Sequence, residues 1–176
     1  MPPPSLFCAV GSDQTALSDG DIKKEISRFL DGLGPREDIT IIPPDYTRFH
    51  SQAGKITRLV SEYYEFTDGQ EGAKSTSNRS IPEMKIIPAL GTHAPMTDPQ
   101  IRSMYGDKLA DKTPSPFIVH DWRKDVVTIG HAPADMVNEA TDGMVNCEWP
   151  AQLNRCVRNE NSKITFCFII PAMSDP

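Results

Sequence analysis

Apolar residues along the chain form two kinds of pattern, short continuous runs and stripes that recur every three or four positions. Continuous runs are typical of strands that are covered on both faces, and they predict strands at 5–10, 38–43, 84–90, 117–120, 126–130 and 163–170. The stripes predict amphipathic helices at 18–33, 51–64 and 97–106, and the segment 135–142 is predicted as a helical turn or loop.

Local end signals support these helices. Ser18 is a predicted N-cap, and Thr97 is another, with Gln100 at the spacing of a capping box. Gly34 and Gly106 follow the last apolar positions and are predicted to end their helices. Residues 68–80 contain no apolar period, and they are predicted to form a flexible insertion loop.

The order of strands and helices predicts parallel βαβ units with right-handed crossovers. The expected fold is therefore α/β, a mostly parallel open sheet with covering helices on both faces, in a Rossmann-like three-layer arrangement. Residues 1–176 are expected to form one domain of this kind. Because the strand at 163–170 has no covering helix after it, we expect the chain to stop inside the domain, as a protein truncated at its C-terminus.

Composition excludes several classes of partner. The net charge is −6 and no basic patch is visible, which argues against nucleic acid and against an anionic membrane. The chain shows no secretory signal, and the apolar run at 164–170 is far too short to span a bilayer, so a cytoplasmic location is expected. The four cysteines have no metal-binding spacing, so free thiols are expected and a metal site is not.

A histidine stands where the third strand gives way to a helix. Gly91, Thr92 and His93 follow the run at 84–90, and open α/β sheets place their chemistry at such carboxyl ends of strands. An imidazole titrates near neutral pH, so His93 is a candidate general acid or base. The alternative is a histidine that only fixes the turn through a backbone hydrogen bond.

The preceding strand ends in a second polar group. Arg48 offers a planar fork that can hold a carboxylate or a phosphate, and Asp45 could orient that fork, cap the turn or bind a ribose hydroxyl. The alternative is a surface salt bridge around a Pro-Pro turn. We expect the side chains of Arg48 and His93 to face one pocket from adjacent parallel strands.

His120 and Asp121 end a third apolar run, and either an Asp–His hydrogen bond or a plain loop turn explains the pair. Trp122 and Trp149 are expected to be packing anchors. The chain contains no phosphate-binding glycine fingerprint and no Gly-x-Ser-x-Gly elbow, so nucleotide-binding and serine-hydrolase functions have no direct support.

Taken together, these motifs resemble the lactate racemase family, the nickel-pincer-nucleotide-dependent racemases and epimerases of 2-hydroxy acids. The resemblance covers residues 5–157, and its matching segments are 44–48, 90–97, 120–122 and 149–155. Its most specific part is the string Gly-Thr-His-x-Pro-Met-Thr, in combination with the earlier Asp-x-Thr-Arg.

The resemblance implies roles for individual residues. His93 would be one of two catalytic histidines that exchange a proton with the substrate hydroxyl, and Arg48 would grip the substrate carboxylate. Further substrate or cofactor contacts are implied at Asp45, Thr47, Gly91, Thr92, His120 and Asp121. In this family the cofactor accepts a hydride from the α-carbon, which spares histidine the removal of a very weakly acidic proton.

The chain also departs from the family. Family members are longer, and the second catalytic histidine, the lysine that holds the nucleotide and the nickel-ligating histidine have no counterparts here. We therefore expect the N-terminal part of a racemase, an isomerase by family, that binds no cofactor and is inactive alone, and that depends on a complementing chain or C-terminal domain. The alternatives are a non-catalytic module that binds small carboxylates or requires a partner, and an unrelated flavodoxin-like regulatory domain.

Overall fold

The computed structural model describes residues 12–33, 38–66 and 83–157, and the backbone of 165–169. The elements in chain order are α1 (Asp19–Leu33), β1 (Asp38–Ile42), a 3-10 helix (Tyr46–Ser51), α2 (Ala53–Phe66), β2 (Glu83–Ile86), α3 (Asp98–Tyr105), α4 (Asp107–Ala110), β3 (Val126–Ala132), α5 (Ala134–Ala140), β4 (Trp149–Asn154) and β5 (Thr165–Ile169). The strand predicted at 5–10 and the loop predicted at 68–80 lie outside the described residues.

A small parallel sheet forms the centre of the fold. Strand β1 lies in the middle, with β2 on one side and β5 on the other, and both neighbours run parallel to it. The strands predicted at 38–43, 84–90 and 163–170 are thus confirmed as parallel neighbours, joined by helical connections where the chain is described.

Prolines shorten β2 relative to the prediction. Beyond Ile86 the backbone hydrogen bonds to β1 continue from Ile87 N to Ile41 O at 2.9 Å and from Ala89 N to Pro43 O at 2.7 Å. Pro88 has no N–H to donate, so regular pairing gives way to one isolated bridge between Pro44 and Ala89. That bridge holds the two polar loops of the sheet edge side by side.

The expectation of a mostly parallel sheet is wrong for residues 126–154. Strands β3 and β4 pair antiparallel in a separate two-stranded sheet, and of the strand predicted at 117–120 only a bridge from Phe117 to Ile86 is present. Most positions of β3 and β4 are exposed, which suits an antiparallel pair better than a parallel sheet. The described residues therefore form a mixed α/β fold with a small parallel sheet.

The core lies between the parallel sheet and helices α1 to α4. Helix α3 begins as predicted, with the N–H of Thr97 donating to Gln100 Oε1 at 2.9 Å and the chain turning at Gly106. The buried apolar side chains of this cluster are Leu30, Ile39, Ile41, Ala53, Val60, Tyr64, Ile86, Met104, Tyr105 and Leu109. No helix within the described ranges combines the length and the apolarity needed to cross a lipid bilayer.

Trp122 and Trp149 are not packing anchors. Their exposed fractions are 41% and 60%, and the guanidinium of Arg123 lies 4.1 Å from the ring centroid of Trp122. Trp149 is the first residue of β4 and Trp122 lies in the loop before β3, so both belong to the exposed two-stranded sheet and its approach rather than to the core, and the prediction is wrong. The described cysteines, Cys147 and Cys156, are free thiols.

Candidate active site

The two loops at the edge of the parallel sheet are joined by a hydrogen bond between an imidazole and a carboxylate. His93 Nδ1 lies 2.6 Å from Asp45 Oδ2. The bridge between Pro44 and Ala89 brings the two loops together, because Pro44 directly precedes Asp45 and Ala89 lies four residues before His93. The side chain of Asp45 is 8% exposed and that of His93 is 57% exposed, so a buried carboxylate orients an accessible ring.

Asp45 is held in place by Thr47. Its Oδ1 accepts hydrogen bonds from the backbone N–H of Thr47 at 3.1 Å and from the Thr47 hydroxyl at 2.5 Å, which caps the 3-10 helix. Burial raises the pKa of Asp45, but the hydrogen bonds from Thr47 and His93 outweigh it, and the pKa lies below its usual value. The carboxylate is therefore ionised at neutral pH.

The ionised carboxylate determines how the imidazole can act. A carboxylate only accepts hydrogen bonds, so Nδ1 of His93 carries the proton that it donates to Asp45. In the neutral ring the lone pair is then on Nε2, the nitrogen that is not engaged with Asp45. An Asp–His pair of this kind can take a proton from a hydroxyl and return it, with the ring held in one tautomer and one orientation.

Tyr105 supports the loop that carries Asp45. It is fully buried on α3, and its hydroxyl donates to the carbonyl oxygen of Pro44 at 3.3 Å, directly before Asp45. Burial raises the pKa of Tyr105, and the negative charge of Asp45 raises it further, so the phenol stays protonated and remains a donor.

Arg48 lies in the same loop as Asp45 and is exposed. Its backbone N–H donates to the carbonyl oxygen of Asp45 at 3.0 Å. Its guanidinium makes no hydrogen bond or ion pair within the part of the chain that the structure describes, so it is available to a ligand. Its backbone angles, φ −111° and ψ 34°, interrupt the 3-10 helix. The shared pocket of Arg48 and His93 remains a prediction.

A cavity of about 350 Å³ lies nearby, at the carboxyl ends of β1 and β2. It includes two of the predicted cofactor contacts, Gly91 and His120, whereas Thr92 and Asp121 are not in its wall. The described residues that line it are Ile42, Ile87, Pro88, Ala89, Gly91, His120, Leu153, Asn154 and Val157. None of Asp45, Thr47, Arg48 and His93 is among them.

His120 and Asp121 do not pair with each other. Asp121 Oδ1 accepts from the N–H of Arg123 at 2.9 Å, a contact that lowers the pKa of the carboxyl, and Lys124 Nζ lies 3.3 Å from Oδ2. Of the two alternatives, the loop turn is thus the one observed for Asp121. His120 Nδ1 instead lies 2.9 Å from the side-chain amide nitrogen of Asn154. The role of Asn154 had no signal in the sequence.

The described residues contain no group of side chains that would hold the nickel of a pincer nucleotide. Within residues 12–33, 38–66 and 83–157, no three His, Cys, Asp or Glu side chains come together as a metal site. The cavity wall described above carries no Lys or Arg that could neutralise a nucleotide phosphate.

By fold and by site, the chain belongs to the broad class of α/β domains that place polar groups at the carboxyl ends of parallel strands. No protein-family model matches the chain, and a search of curated proteins finds no match. Among solved structures, a protein of Thermotoga maritima is similar at 24% identity and a TM-score of 0.63, covering 86% of this chain and 33% of that one.

The lactate racemase apoprotein from Thermoanaerobacterium thermosaccharolyticum is also similar, at 19% identity and a TM-score of 0.54. That match covers 85% of this chain and 31% of the racemase. The present chain thus spans about a third of each of these proteins. At such identities the likeness shows a shared fold, here the fold of part of a lactate racemase.

Proposed function

We propose that this chain forms part of a racemase of small 2-hydroxy acids, in which His93 exchanges a proton with the substrate hydroxyl. The observation that carries the proposal is the 2.6 Å hydrogen bond from His93 Nδ1 to the buried carboxylate of Asp45. It leaves Nε2 of an accessible imidazole as the reactive nitrogen. The shared fold with a lactate racemase and the sequence motifs around both residues support the same chemistry.

Each residue of the site has a separate task in this proposal. Asp45, held by Thr47, fixes the tautomer of His93 and favours the imidazolium that forms when the ring accepts a proton. Arg48 holds the substrate carboxylate through two parallel hydrogen bonds. A guanidinium on one loop and an imidazole on the next would thereby select a molecule that carries a carboxylate beside a hydroxyl.

Inversion of a 2-hydroxy acid also requires the α-carbon hydrogen to leave and return. The described residues contain no group for that step, because imidazole is too weak a base for it and no metal-ligating cluster is present among them. In our proposal this chain supplies substrate binding and proton exchange, while the group that accepts the hydride is held by a complementing chain or domain. The 176-residue chain alone is expected to racemise nothing.

Calorimetric titration with L-lactate and with propionate, which has the carboxylate but lacks the hydroxyl, tests the binding roles. The wild-type protein should bind lactate more tightly than propionate. Arg48→Ala should lose both ligands, whereas His93→Ala should lose only the preference for lactate. Arg123→Ala is the matched control, since that exposed guanidinium lies on another loop over Trp122. Equal lactate binding by wild type and Arg48→Ala would contradict the proposal.

A second candidate function is a carboxylate-binding module without catalysis. It is favoured by the exposed guanidinium of Arg48 and the oriented imidazole of His93, because binding of a hydroxy acid would require only these groups. Racemisation of L-lactate, followed by chiral chromatography with nickel and pincer nucleotide added, separates the possibilities. Turnover by the 176-residue chain alone would show that the expected inactivity is wrong. Turnover only after a complementing domain is added favours the racemase, and binding without turnover in both cases favours the module.

A further inference from the structure

The cavity beside the Asp45–His93 pair has a described wall that is mostly apolar. Ile42 and Ile87 line it at the carboxyl ends of β1 and β2, and Leu153 lines it from β4 of the second sheet. Its volume of about 350 Å³ is at the lower end of the range for small-molecule pockets. No Lys, Arg, Asp or Glu is among its described lining residues, so a charged ligand would lose its hydration without gaining a partner there.

The polar side chains of the described wall are those of His120 and Asn154, and a hydrogen bond joins them. Asn154 is 8% exposed, and its Oδ1 accepts the backbone N–H of Cys156 at 2.8 Å. That bond fixes the orientation of the amide, because a backbone N–H can only donate. The amide NH₂ must therefore face His120, and it donates to His120 Nδ1 at 2.9 Å.

This bond fixes the tautomer of His120. An Nδ1 that accepts a hydrogen bond carries no proton, so the neutral imidazole has its N–H at Nε2. The ring nitrogen of His120 that is not engaged with Asn154 is thus a donor. The pair is the converse of Asp45 and His93, where a carboxylate places the proton on Nδ1 and leaves Nε2 as the acceptor.

We propose that this cavity binds a small, uncharged and largely apolar molecule with one hydrogen-bond acceptor, such as a carbonyl oxygen, which accepts the Nε2–H of His120. The apolar wall supplies most of the binding energy and the single donor orients the ligand. This site goes beyond the proposed racemase chemistry, because its described wall contains none of Asp45, Thr47, Arg48 and His93, and its chemistry does not suit a hydroxy acid.

Three fluorinated probes of matched size test the proposal by ¹⁹F NMR titration of the 176-residue protein. 4-Fluoroacetophenone has the acceptor, 1-ethyl-4-fluorobenzene has the same shape without it, and 4-fluorobenzoate adds a charge. The ketone should bind best, about 3- to 10-fold tighter than the hydrocarbon, which is the range expected for one hydrogen bond. Because the proposed function gives carboxylates a separate site at Arg48, the benzoate is titrated into the Arg48→Ala protein, where it should not bind detectably. Failure of the ketone to bind the wild type, or benzoate binding to Arg48→Ala as tight as that of the ketone, would overturn the proposal.

Variants place the bound probe in the cavity. Leu153→Trp should fill the space and abolish binding of the ketone and the hydrocarbon, while His120→Leu should remove the advantage of the ketone over the hydrocarbon. His131→Leu, an exposed histidine of β3, is the control and should bind as wild type does. If Leu153→Trp does not fold, nuclear Overhauser effects from the ketone to methyl groups of Ile87 and Leu153 in the wild type decide, and their absence contradicts the assignment.

A spectroscopic readout tests the role of the tautomer separately. In protein with ¹⁵N-labelled histidine, long-range ¹H–¹⁵N spectra should show the proton of His120 on Nε2 in the wild type. Asn154→Asp places a carboxylate opposite Nδ1, so the proton should move to Nδ1 and the preference for the ketone should fall. A wild-type His120 protonated on Nδ1 would refute the orienting role assigned to Asn154.

Discussion

Helices α2 and α3 approach each other at a glycine, and this contact leads to a prediction about stability that opposes ordinary helix propensity. A Cβ atom added to Gly54 would lie 2.0 Å from the carbonyl oxygen of Met104 and 2.9 Å from Met104 Cγ. Even a close carbon–oxygen contact is about 3.3 Å. Gly54→Ala therefore requires the two helices to separate by about 1 Å.

The expected change in the free energy of unfolding combines one stabilising effect with two destabilising effects. Gly54 is the second residue of α2, so replacing it by alanine should stabilise the protein by at most about 1 kcal/mol, the value for a helix interior. Forcing extra volume into a packed core costs about 1–3 kcal/mol. Separating the helices also breaks the hydrogen bond from Arg58 Nη1 to Met104 O at 3.2 Å, which costs about 1 kcal/mol more. Because the obstacle is backbone, we take the upper part of the packing range and expect Gly54→Ala to destabilise by about 2–3 kcal/mol.

Urea denaturation followed by far-ultraviolet circular dichroism measures this free energy. Gly20→Ala in α1 is the matched control, because its nearest neighbour would be Ser18 Oγ at an ordinary 3.7 Å. That variant should be as stable as the wild type or up to about 1 kcal/mol more stable. If Gly54→Ala were also as stable as the wild type, the inference that α2 and α3 are in backbone contact would be wrong.

Three further predictions concern the surroundings of the site. The pKa of Asp45 is lowered in the folded protein, so the ionised carboxylate stabilises the fold at pH values above the usual pKa of 3.8, and this contribution is lost as the pH falls through the lower folded pKa. Asp45→Asn should therefore flatten the dependence of the unfolding free energy on pH in that acid range, as measured by urea denaturation at several pH values. Tyr105→Phe removes the hydrogen bond to Pro44 O and should cost about 1 kcal/mol in the same assay at neutral pH, and an unchanged stability would contradict the bond. Glu65→Gln weakens the ion pairs of α2 with Lys108 and Lys112 on and after α4 and should cost at most about 1 kcal/mol, a difference that should vanish in about 1 M NaCl if the pairs act through charge.

The helices and the parallel strands are predictable from the sequence because their signals are local. The apolar stripe and the caps of 97–106 specify α3 without any knowledge of its neighbours, and the isoleucine-rich run at 38–43 specifies a strand that is covered on both faces. In contrast, the antiparallel pairing of β3 with β4 depends on partners that are 17 to 28 residues away in the sequence. The run at 126–130 predicts a strand and contains no information about its neighbour.

The candidate site shows the same division. The rule that chemistry gathers at the carboxyl ends of parallel strands pointed to Asp45 and His93, yet it did not show that they would be bonded to each other across 48 residues of sequence. The capping of the 3-10 helix by Asp45 is local, and a turn of this kind was among the alternatives. Asn154 was missed because an asparagine at the end of a strand is ordinary, and its importance depends entirely on the histidine opposite.

Two short backbone segments, 42–45 and 89–93, connect the two proposed sites. Ala89 lies in the wall of the cavity, and the side chain of His93 is hydrogen-bonded to Asp45. Between Ala89 and His93 the chain turns at Gly91, which has a φ of +57°. No described atom lies within 4 Å of the position where a Cβ of Gly91 would stand, so glycine is favoured here by the left-handed backbone and not by lack of space. The two sites share no described polar side chain. A ligand in the cavity can therefore influence the Asp45–His93 pair through this turn and through residues 42–45, because Ile42 also lies in the wall of the cavity.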